Sequence, residues 1–238
     1  MFPAQQSSAP RHAILLGDSH ATVMTSEIVA RLTASGYITS VATFGGCIPF
    51  PGYRTSSRDC NAANTAMYNH VAGSRYNLIV LAFRSQPVLD NDYKLIAAPD
   101  TGVPSDSPVD AQRIIRTGLK RLMKTGAKVI VFEPVPEMSK DIGFFARKYF
   151  AYDKDHEKIN ISAPFADYLE RSQKMLGILE SFNDPNVAVI RTSKIMCDGI
   201  DLACPGMELG VALYADDNHL SRFGIAKLFA GVDRSPPW

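Results

Sequence analysis

Five short apolar segments, each followed by a longer amphipathic one, limit what this chain can fold into more than any other feature. The apolar segments are rich in β-branched residues and predict buried strands at Ala13 to Leu16, Tyr37 to Thr43, Asn77 to Phe83, Lys128 to Val135 and Val187 to Thr192. The amphipathic segments predict helices at Ala21 to Ala34, Asn61 to Ala72, Asp110 to Thr125, Pro164 to Asn183 and Ser221 to Ala230. Alternating strands and helices favour a parallel sheet covered on both faces by right-handed crossovers. The sequence therefore predicts an α/β protein, a three-layer α/β/α sandwich with about five parallel strands.

Two stretches break this alternation. Residues 89–109 form a polar segment with three prolines, and residues 139–162 hold the aromatic and cationic run from Gly143 to Phe150, followed by charged residues. Long loops at the active edge of an α/β sheet commonly shape a substrate site. Aromatic and cationic side chains together would suit sugar rings and their anionic substituents. Alternatively, the aromatic residues cover a local core and the charges are solvated.

Length and charge narrow the possible organisation and partners. With 238 residues, the chain is long enough for one domain and short for two, so we expect a flexible tail over 1–12 and a domain over 13–238. A net charge of +1 gives no reason to expect nucleic acid or an anionic membrane as a partner. No apolar run approaches the roughly 20 residues that cross a bilayer, and the opening residues lack the regions of a signal peptide. These features indicate a cytoplasmic protein or a domain from a longer protein.

The four cysteines form two locally spaced pairs, Cys47 with Cys60 and Cys197 with Cys204. Each pair brackets a loop rich in Pro, Gly, Asn or Asp, which a short disulfide could hold. A zinc site is the rival interpretation, but the Cys-x-x-Cys or Cys/His spacing of such sites is missing, and we predict no metal. Four buried thiols are a further alternative. We predict both disulfides, which would place the domain in an oxidising compartment.

The first candidate for chemistry is the block Gly17-Asp18-Ser19, which joins the first predicted strand to the first predicted helix. A serine there stands at the carboxyl edge of the sheet, where α/β proteins bind ligands. The first N–H groups of the helix have no intrahelical partner and can face a developing negative charge. The alternative is an ordinary strand-to-helix turn with a serine cap.

A matching base and acid occur near the other end of the chain. Asp216 stands three residues before His219, so on one turn its carboxylate can reach the imidazole ring. A carboxylate there would fix the tautomer and stabilise the imidazolium that forms when histidine takes a serine proton. The alternative is a capped helix start with a surface histidine.

Together, the two blocks resemble the SGNH (GDSL-type) esterase and acyltransferase superfamily. The fuller forms, Gly-Asp-Ser-His over 17–20 and Asp-Asp-Asn-His-Leu-Ser over 216–221, are similar to the SGNH domains fused to membrane acyltransferase-3 proteins. Those proteins O-acetylate bacterial surface polysaccharides. The resemblance spans about Ala13 to Val232 and implies the flavodoxin-like strand order, with the serine at the end of the first strand.

The oxyanion hole is assigned partly from this resemblance. The Ser19 N–H is one candidate donor. The family pattern implies a glycine N–H after the second strand, and we choose Gly46 over Gly45 because the family members that this chain resembles carry that residue just before Cys-x-Pro. The superfamily's third block carries Gly-x-Asn-Asp, whereas this chain has Arg84 at that point, as the acyltransferase-3-linked members do. Arg84 could donate to the oxyanion, bind an anionic group of the acceptor, or pair structurally with a neighbouring acid.

Three neighbouring polar residues have weaker assignments. His20 adjoins the serine, but side chains at i and i+1 diverge on a helix, so we expect it to line the substrate pocket or to donate a local hydrogen bond. Asp18 is expected to hydrogen-bond backbone in the turn. Glu133, at the end of the fourth strand, is a candidate pocket residue.

The resemblance implies an O-acetyltransferase with Ser19 as nucleophile, His219 as base and Asp216 as orienting acid. It implies no bound cofactor: acetyl-CoA would supply the acetyl group through an N-terminal integral-membrane acyltransferase-3 domain of the full-length protein. The acceptor would be a bacterial envelope glycan, such as lipopolysaccharide O-antigen, at the periplasmic face of the inner membrane. A carbohydrate acetylesterase with the same triad is the first alternative. A glycan-binding domain without turnover is the second.

Overall fold

The computed structural model describes residues 10–54, 59–86, 89, 96–97, 108–152, 160–197, 202–233 and 236–238. Residues 1–9 of the expected tail and most of the segment 89–109 lie outside these ranges. The first strand begins two residues earlier than predicted, since Arg11 and His12 pair in register with Tyr37 and Ile38.

The described part of the chain contains one central sheet and two small ones. The strands are β1 Arg11–Gly17, β2 Tyr37–Thr43, β3 Tyr53–Arg54, β4 Leu78–Ala82, β5 Ile96–Ala97, β6 Lys128–Phe132, β7 Ile161–Pro164, β8 Val187–Ile190, β9 Ala203–Glu208 and β10 Val211–Ala212. The central sheet has five parallel strands in the order β2-β1-β4-β6-β8. With these five numbered on their own, the order is 2-1-3-4-5, which is flavodoxin-like. The predicted fold class and strand order are confirmed.

Helices connect the strands of the central sheet. They are α1 Ser19–Ala34, α2 Cys60–Gly73, α3 Pro108–Met123, α4 Ile142–Tyr152, α5 Phe165–Glu180, α6 Thr192–Met196 and α7 Arg222–Val232. β8 ends before the predicted Thr192 because that hydroxyl donates to the Pro134 carbonyl at 2.9 Å and the residue begins α6. Among the described residues, no helix is long and apolar enough to cross a membrane.

The inner strands β1, β4 and β6 of the central sheet are buried on both faces, as their apolar sequences predicted, whereas the edge strand β2 has no buried residue. Side chains of adjacent residues point to opposite faces, so Leu15 packs in one core with Met24 of α1 and Leu228 of α7. Leu16 packs in the other core with Ile115 of α3.

The segment 139–162, which breaks the predicted alternation of strands and helices, contains regular structure. It forms α4 and the start of β7, which pairs antiparallel with β9 in a three-stranded sheet. Ile142 and Ala146 of α4 are buried in the core, so this helix covers part of it. Phe144 and Phe150 are 54% and 55% exposed, so the interpretation that the aromatic residues of this segment cover a local core is wrong for these two.

Both predicted disulfides are present. Cys47–Cys60 ties the loop after β2 to the start of α2, and Cys197–Cys204 ties the end of α6 to β9. The described structure therefore has no free cysteine.

Candidate active site

Asp18 holds the turn that presents Ser19. It is the N-cap of α1, and its Oδ1 atom accepts a hydrogen bond from the His20 N–H at 2.8 Å. Its Oδ2 atom accepts from the Arg84 N–H, also at 2.8 Å, which joins the end of β1 to the end of β4. The expected backbone role of Asp18 is thus observed, and it fixes the first turn of the helix that carries the serine.

Gly17 is needed immediately before this turn. A Cβ atom built on Gly17 would lie 2.0 Å from the Ala82 carbonyl oxygen and 2.4 Å from the Ala21 Cβ atom. Neither neighbour is the flexible end of a long side chain, so a larger residue would push the turn away from β4. Close packing against β4 and α1 therefore requires a glycine at position 17.

The structure brings the two ends of the chain together at this edge. The Ser19 hydroxyl lies 2.8 Å from Nε2 of His219, although the residues are 200 positions apart. Nδ1 of the same ring lies 2.7 Å from Oδ2 of Asp216. Because the carboxylate can only accept, Nδ1 carries the ring proton and Nε2 is left to accept the serine proton.

The Asp216 carboxylate also organises the backbone around the histidine. Its Oδ1 atom accepts from the N–H groups of Asn218 at 2.8 Å and His219 at 2.7 Å. Burial alone would raise the pKa of Asp216, but these backbone bonds, followed by the His219 ring, outweigh it and hold the pKa below its usual value. The carboxylate is therefore ionised at neutral pH.

Residues 138–142 fasten the loop that carries this acid and base. The Met138 N–H donates to the Asp217 carbonyl at 2.7 Å, and the Ile142 N–H donates to the Asp216 carbonyl at 3.0 Å. Within the loop, the Ala215 N–H donates to the His219 carbonyl at 2.8 Å. The start of α4 thus holds residues 215–219, the loop that carries Asp216 and His219, in place.

His20 lies behind this loop, fully surrounded by protein. Its Nε2 atom lies 3.0 Å from Oδ1 of Asn218, whose Nδ2 donates to Asp217. Burial lowers the pKa of His20, and the nearby His219 acts in the same direction against the attraction of Asp18. Of the two roles expected for His20, the geometry shows the local hydrogen bond. The contact between His20 and Asn218 was not predicted, because no spacing rule links two residues that are 198 positions apart.

Gly46 adopts backbone that favours glycine, with φ of 77°. It sits in a turn closed by a 3.0 Å bond from the Cys47 N–H to the Phe44 carbonyl. The Phe44 N–H donates to the Gly17 carbonyl at 2.9 Å, which places this turn next to the serine block. The Cys47–Cys60 disulfide holds its far end. The role of Gly46 as an oxyanion donor stays a prediction.

Arg84 is bound by an acid that sequence analysis did not identify. Its Nε and Nη2 atoms each donate to one carboxylate oxygen of Glu137 at 2.7 Å. Arg171 approaches the same carboxylate at 3.5 Å. The geometry thus shows the structural pairing considered for Arg84, with a bidentate fork that is strong and directional. Its roles toward the oxyanion or the acceptor stay predictions.

Glu133, the candidate pocket residue, is also paired. It accepts hydrogen bonds from Nη1 of Arg191 at 2.7 Å and from the Ser193 hydroxyl at 2.9 Å. These partners join the loop after β6 to the start of α6. The observed contacts of Glu133 are therefore structural.

The arrangement of Ser19, His219 and Asp216 is suited to nucleophilic acyl chemistry. Two consecutive hydrogen bonds join these groups. The ring can take the hydroxyl proton, and the carboxylate orients the ring. The same base could next activate a second hydroxyl or a water. The geometry alone therefore fits both transfer and hydrolysis.

The chain also resembles a known protein family. A family model described as "SGNH domain (fused to AT3 domains)" matches residues 2–233. No curated protein sequence matches this chain.

Two solved structures are similar in fold. One is the periplasmic domain of a lipopolysaccharide acetyltransferase of Salmonella ser. Paratyphi A, with a TM-score of 0.65 and 16% identity over 95% of this chain and 83% of that one. The other is a putative acylhydrolase of Bacteroides fragilis NCTC 9343, with a TM-score of 0.50 and 12% identity over 94% and 88% of the two chains.

Proposed function

Since this chain belongs to the family of SGNH domains that are fused to AT3 domains, we propose that it is an O-acetyltransferase acting on a bacterial surface polysaccharide. Its catalytic residues are Ser19, His219 and Asp216. The observation that carries the proposal is the 2.8 Å contact between the Ser19 hydroxyl and the histidine ring nitrogen, with Asp216 on the other side of that ring.

The first half-reaction forms an acyl-enzyme. Nε2 of His219 takes the hydroxyl proton while the Ser19 oxygen attacks the acetyl carbonyl carbon of the donor. The tetrahedral intermediate then collapses, and the leaving group of the donor departs with the proton from His219. Asp216, ionised at neutral pH, stabilises the imidazolium between these two steps.

The second half-reaction regenerates the serine. A sugar hydroxyl gives its proton to His219 and attacks the acetyl-serine carbonyl, and the Ser19 oxygen leaves and recovers the proton. In both halves, negative charge develops on the carbonyl oxygen. We assign the N–H groups of Ser19 and Gly46 as donors to that oxygen. Each such donor stabilises the transition state by about 3–4 kcal/mol.

We place this chemistry at the periplasmic face of the bacterial inner membrane. The fusion noted for the family supplies a membrane partner, through which acetyl-CoA is the ultimate donor. Two disulfides agree with an oxidising compartment. In this arrangement, residues 13–238 are the catalytic domain and residues 1–12 are the junction.

The nucleophile assignment is tested by Ser19→Ala. We expect the variant to lose polysaccharide acetylation in cells and labelling by a fluorophosphonate probe, while its thermal unfolding stays close to that of the wild type. The matched control is Ser26→Ala, an exposed serine on the same helix, which should keep both activities. Full acetylation by the Ser19→Ala protein would refute the assignment.

Hydrolysis is the second candidate, because water can reach the triad. The side chain of His219 is 27% exposed and that of Asp216 is 40% exposed. An acetyl donor offered with and without an oligosaccharide acceptor separates the two reactions. Acetylated sugar as the main product supports transfer, and free acetate at the same rate in both mixtures supports a carbohydrate acetylesterase.

A further inference from the structure

Two exposed phenylalanines lie in the first turns of two helices that pack against residues 213–216, beside the candidate active site. Phe144 on α4 is 54% exposed and Phe223 on α7 is 46% exposed, so each leaves about half of its surface in contact with water. A single exposed aromatic side chain needs no explanation, but two beside one site point to a ligand.

The positions of two glycines place the backbones next to these phenylalanines against one short segment of the chain. A Cβ atom on Gly143 would lie 2.0 Å from the Ala215 carbonyl oxygen, and one on Gly224 would lie 2.0 Å from the Leu213 carbonyl oxygen. Phe144 follows the first glycine and Phe223 precedes the second. The two carbonyl groups are two residues apart, at most about 7 Å along an extended chain.

The same short backbone segment leads directly into the triad. Ala215 precedes Asp216, and its N–H donates to the carbonyl of His219. The Ile142 N–H, at the start of α4, donates to the Asp216 carbonyl. Phe144 and Phe223 are therefore carried by helices whose first turns pack against the segment that leads into Asp216.

Positive charge accompanies both rings. The Arg222 guanidinium lies over the Phe223 ring, 4.5 Å from its centroid. On α4, Arg147 and Lys148 are exposed, and the sequence from 142 to 152 carries no acidic residue. Two acidic residues also lie nearby: Asp141 accepts a hydrogen bond from the Phe144 N–H, and Asp217 accepts one from the Asn218 side chain, and neither of these bonds is an ion pair.

We propose that Phe144 and Phe223 form a platform that binds the acceptor glycan, and that this glycan carries negative charge. The apolar C–H faces of sugar rings would pack on the two phenylalanines, while a uronate carboxylate or a phosphate group would be bound by the nearby cations. The inference rests on the proposed function, because it assigns the acceptor class of the same site.

The test measures glycan binding to the purified protein without an acetyl donor. The probes are hexagalacturonate, a phosphorylated maltohexaose and neutral maltohexaose. Their binding is measured by isothermal titration calorimetry at low and high salt. We expect an acidic probe to bind, with salt weakening the interaction. Phe144→Ala and Phe223→Ala should each weaken binding at least about fivefold, whereas Phe144→Tyr should keep it.

The matched control is Ile38→Ala, which shortens an exposed apolar side chain near the opposite end of the sheet and should bind like the wild type. Wild-type affinity in both alanine variants would overturn the platform. Equal affinity for the neutral probe, without salt dependence, would overturn the charge assignment. Binding to anionic lipid vesicles and to no oligosaccharide would replace the glycan by a membrane surface.

Failure of the proposed function has a different signature. Glycan binding does not require the serine, so it should survive in Ser19→Ala. Retained binding without any acyl turnover by the wild type would contradict the transferase and leave the platform intact.

Discussion

The imidazole rings of His20 and His219 pack against each other, with their centroids 4.9 Å apart and an angle of 44° between their planes. His219 contacts the serine, whereas His20 is buried and bonded to Asn218. The buried ring at position 20 thus packs against the ring to which we assign the proton transfer. The protonation state of His20 consequently affects both stability and the site.

We expect acid to destabilise the protein through His20. Because burial lowers its pKa in the folded state, the unfolded chain binds the proton more tightly. The free energy of unfolding should hold its full value above the unfolded pKa of about 6.5 and fall as the pH drops below it. Urea unfolding from pH 7 to about 5 should show this fall in the wild type and a flatter profile in His20→Gln. An unchanged profile in the variant would contradict a buried, neutral His20.

We expect Gly143→Ala to damage the site through the backbone. The new methyl group would collide with the Ala215 carbonyl and displace the loop that carries Asp216, so stability should fall by about 2 kcal/mol and turnover by at least about tenfold. Gly177→Ala is the control, since a Cβ atom there meets nothing within 4 Å inside α5. That variant should be more stable by about 0.5–1 kcal/mol, with normal turnover. Thermal unfolding and a steady-state assay measure both, and equal behaviour of the two variants would refute the close-packing argument.

We expect Glu137→Gln to cost far more stability than an exposed substitution of the same type. The Glu137 side chain is 4% exposed, so the change leaves the Arg84 guanidinium with a neutral partner in a buried setting and should cost about 3 kcal/mol. Glu208→Gln removes the charge of an exposed pair with Lys227 and should cost at most about 1 kcal/mol. Urea unfolding of both variants makes the comparison. A small, equal loss would show that the Arg84–Glu137 pair has no structural role.

Removing the Cys47–Cys60 disulfide should affect turnover as well as stability. Closing a loop of about 14 residues stabilises the folded state by roughly 3 kcal/mol in the chain-entropy model. The loop also holds Gly46, so Cys47→Ala with Cys60→Ala should lower kcat. Cys197→Ala with Cys204→Ala should reduce stability with a smaller effect on kcat. If both double variants kept wild-type kcat, the disulfide would have no role in positioning the proposed oxyanion donor.

The parts of the fold that sequence predicted are those determined by local pattern. The inner strands β1, β4 and β6 are buried on both faces, so each is a continuous apolar run. The edge strands β2 and β8 are less buried, and their β-branched residues indicated them. β9 contains Pro205 and Gly206, which are depleted in strands, and it forms because it pairs with β7. That pairing depends on contacts between distant segments, so no local pattern could indicate it.

The residues of the candidate site also fall into those that local spacing predicted and those that only the folded structure brings together. Asp216 and His219 are three residues apart, and their contact follows from spacing alone. Glu137 is 53 residues from Arg84, in a loop without a recognisable motif. Its importance arises only when folding brings the ends of β4 and β6 together at one edge.

The bonds from residues 138 and 142 to the catalytic loop run from backbone to backbone. Side chains take no part in them, so the outward-facing positions of α4 are free to diverge among relatives while the acid and base stay aligned. Such a scaffold would let selection change the exposed side chains of α4 without moving the serine, histidine and aspartate beside it.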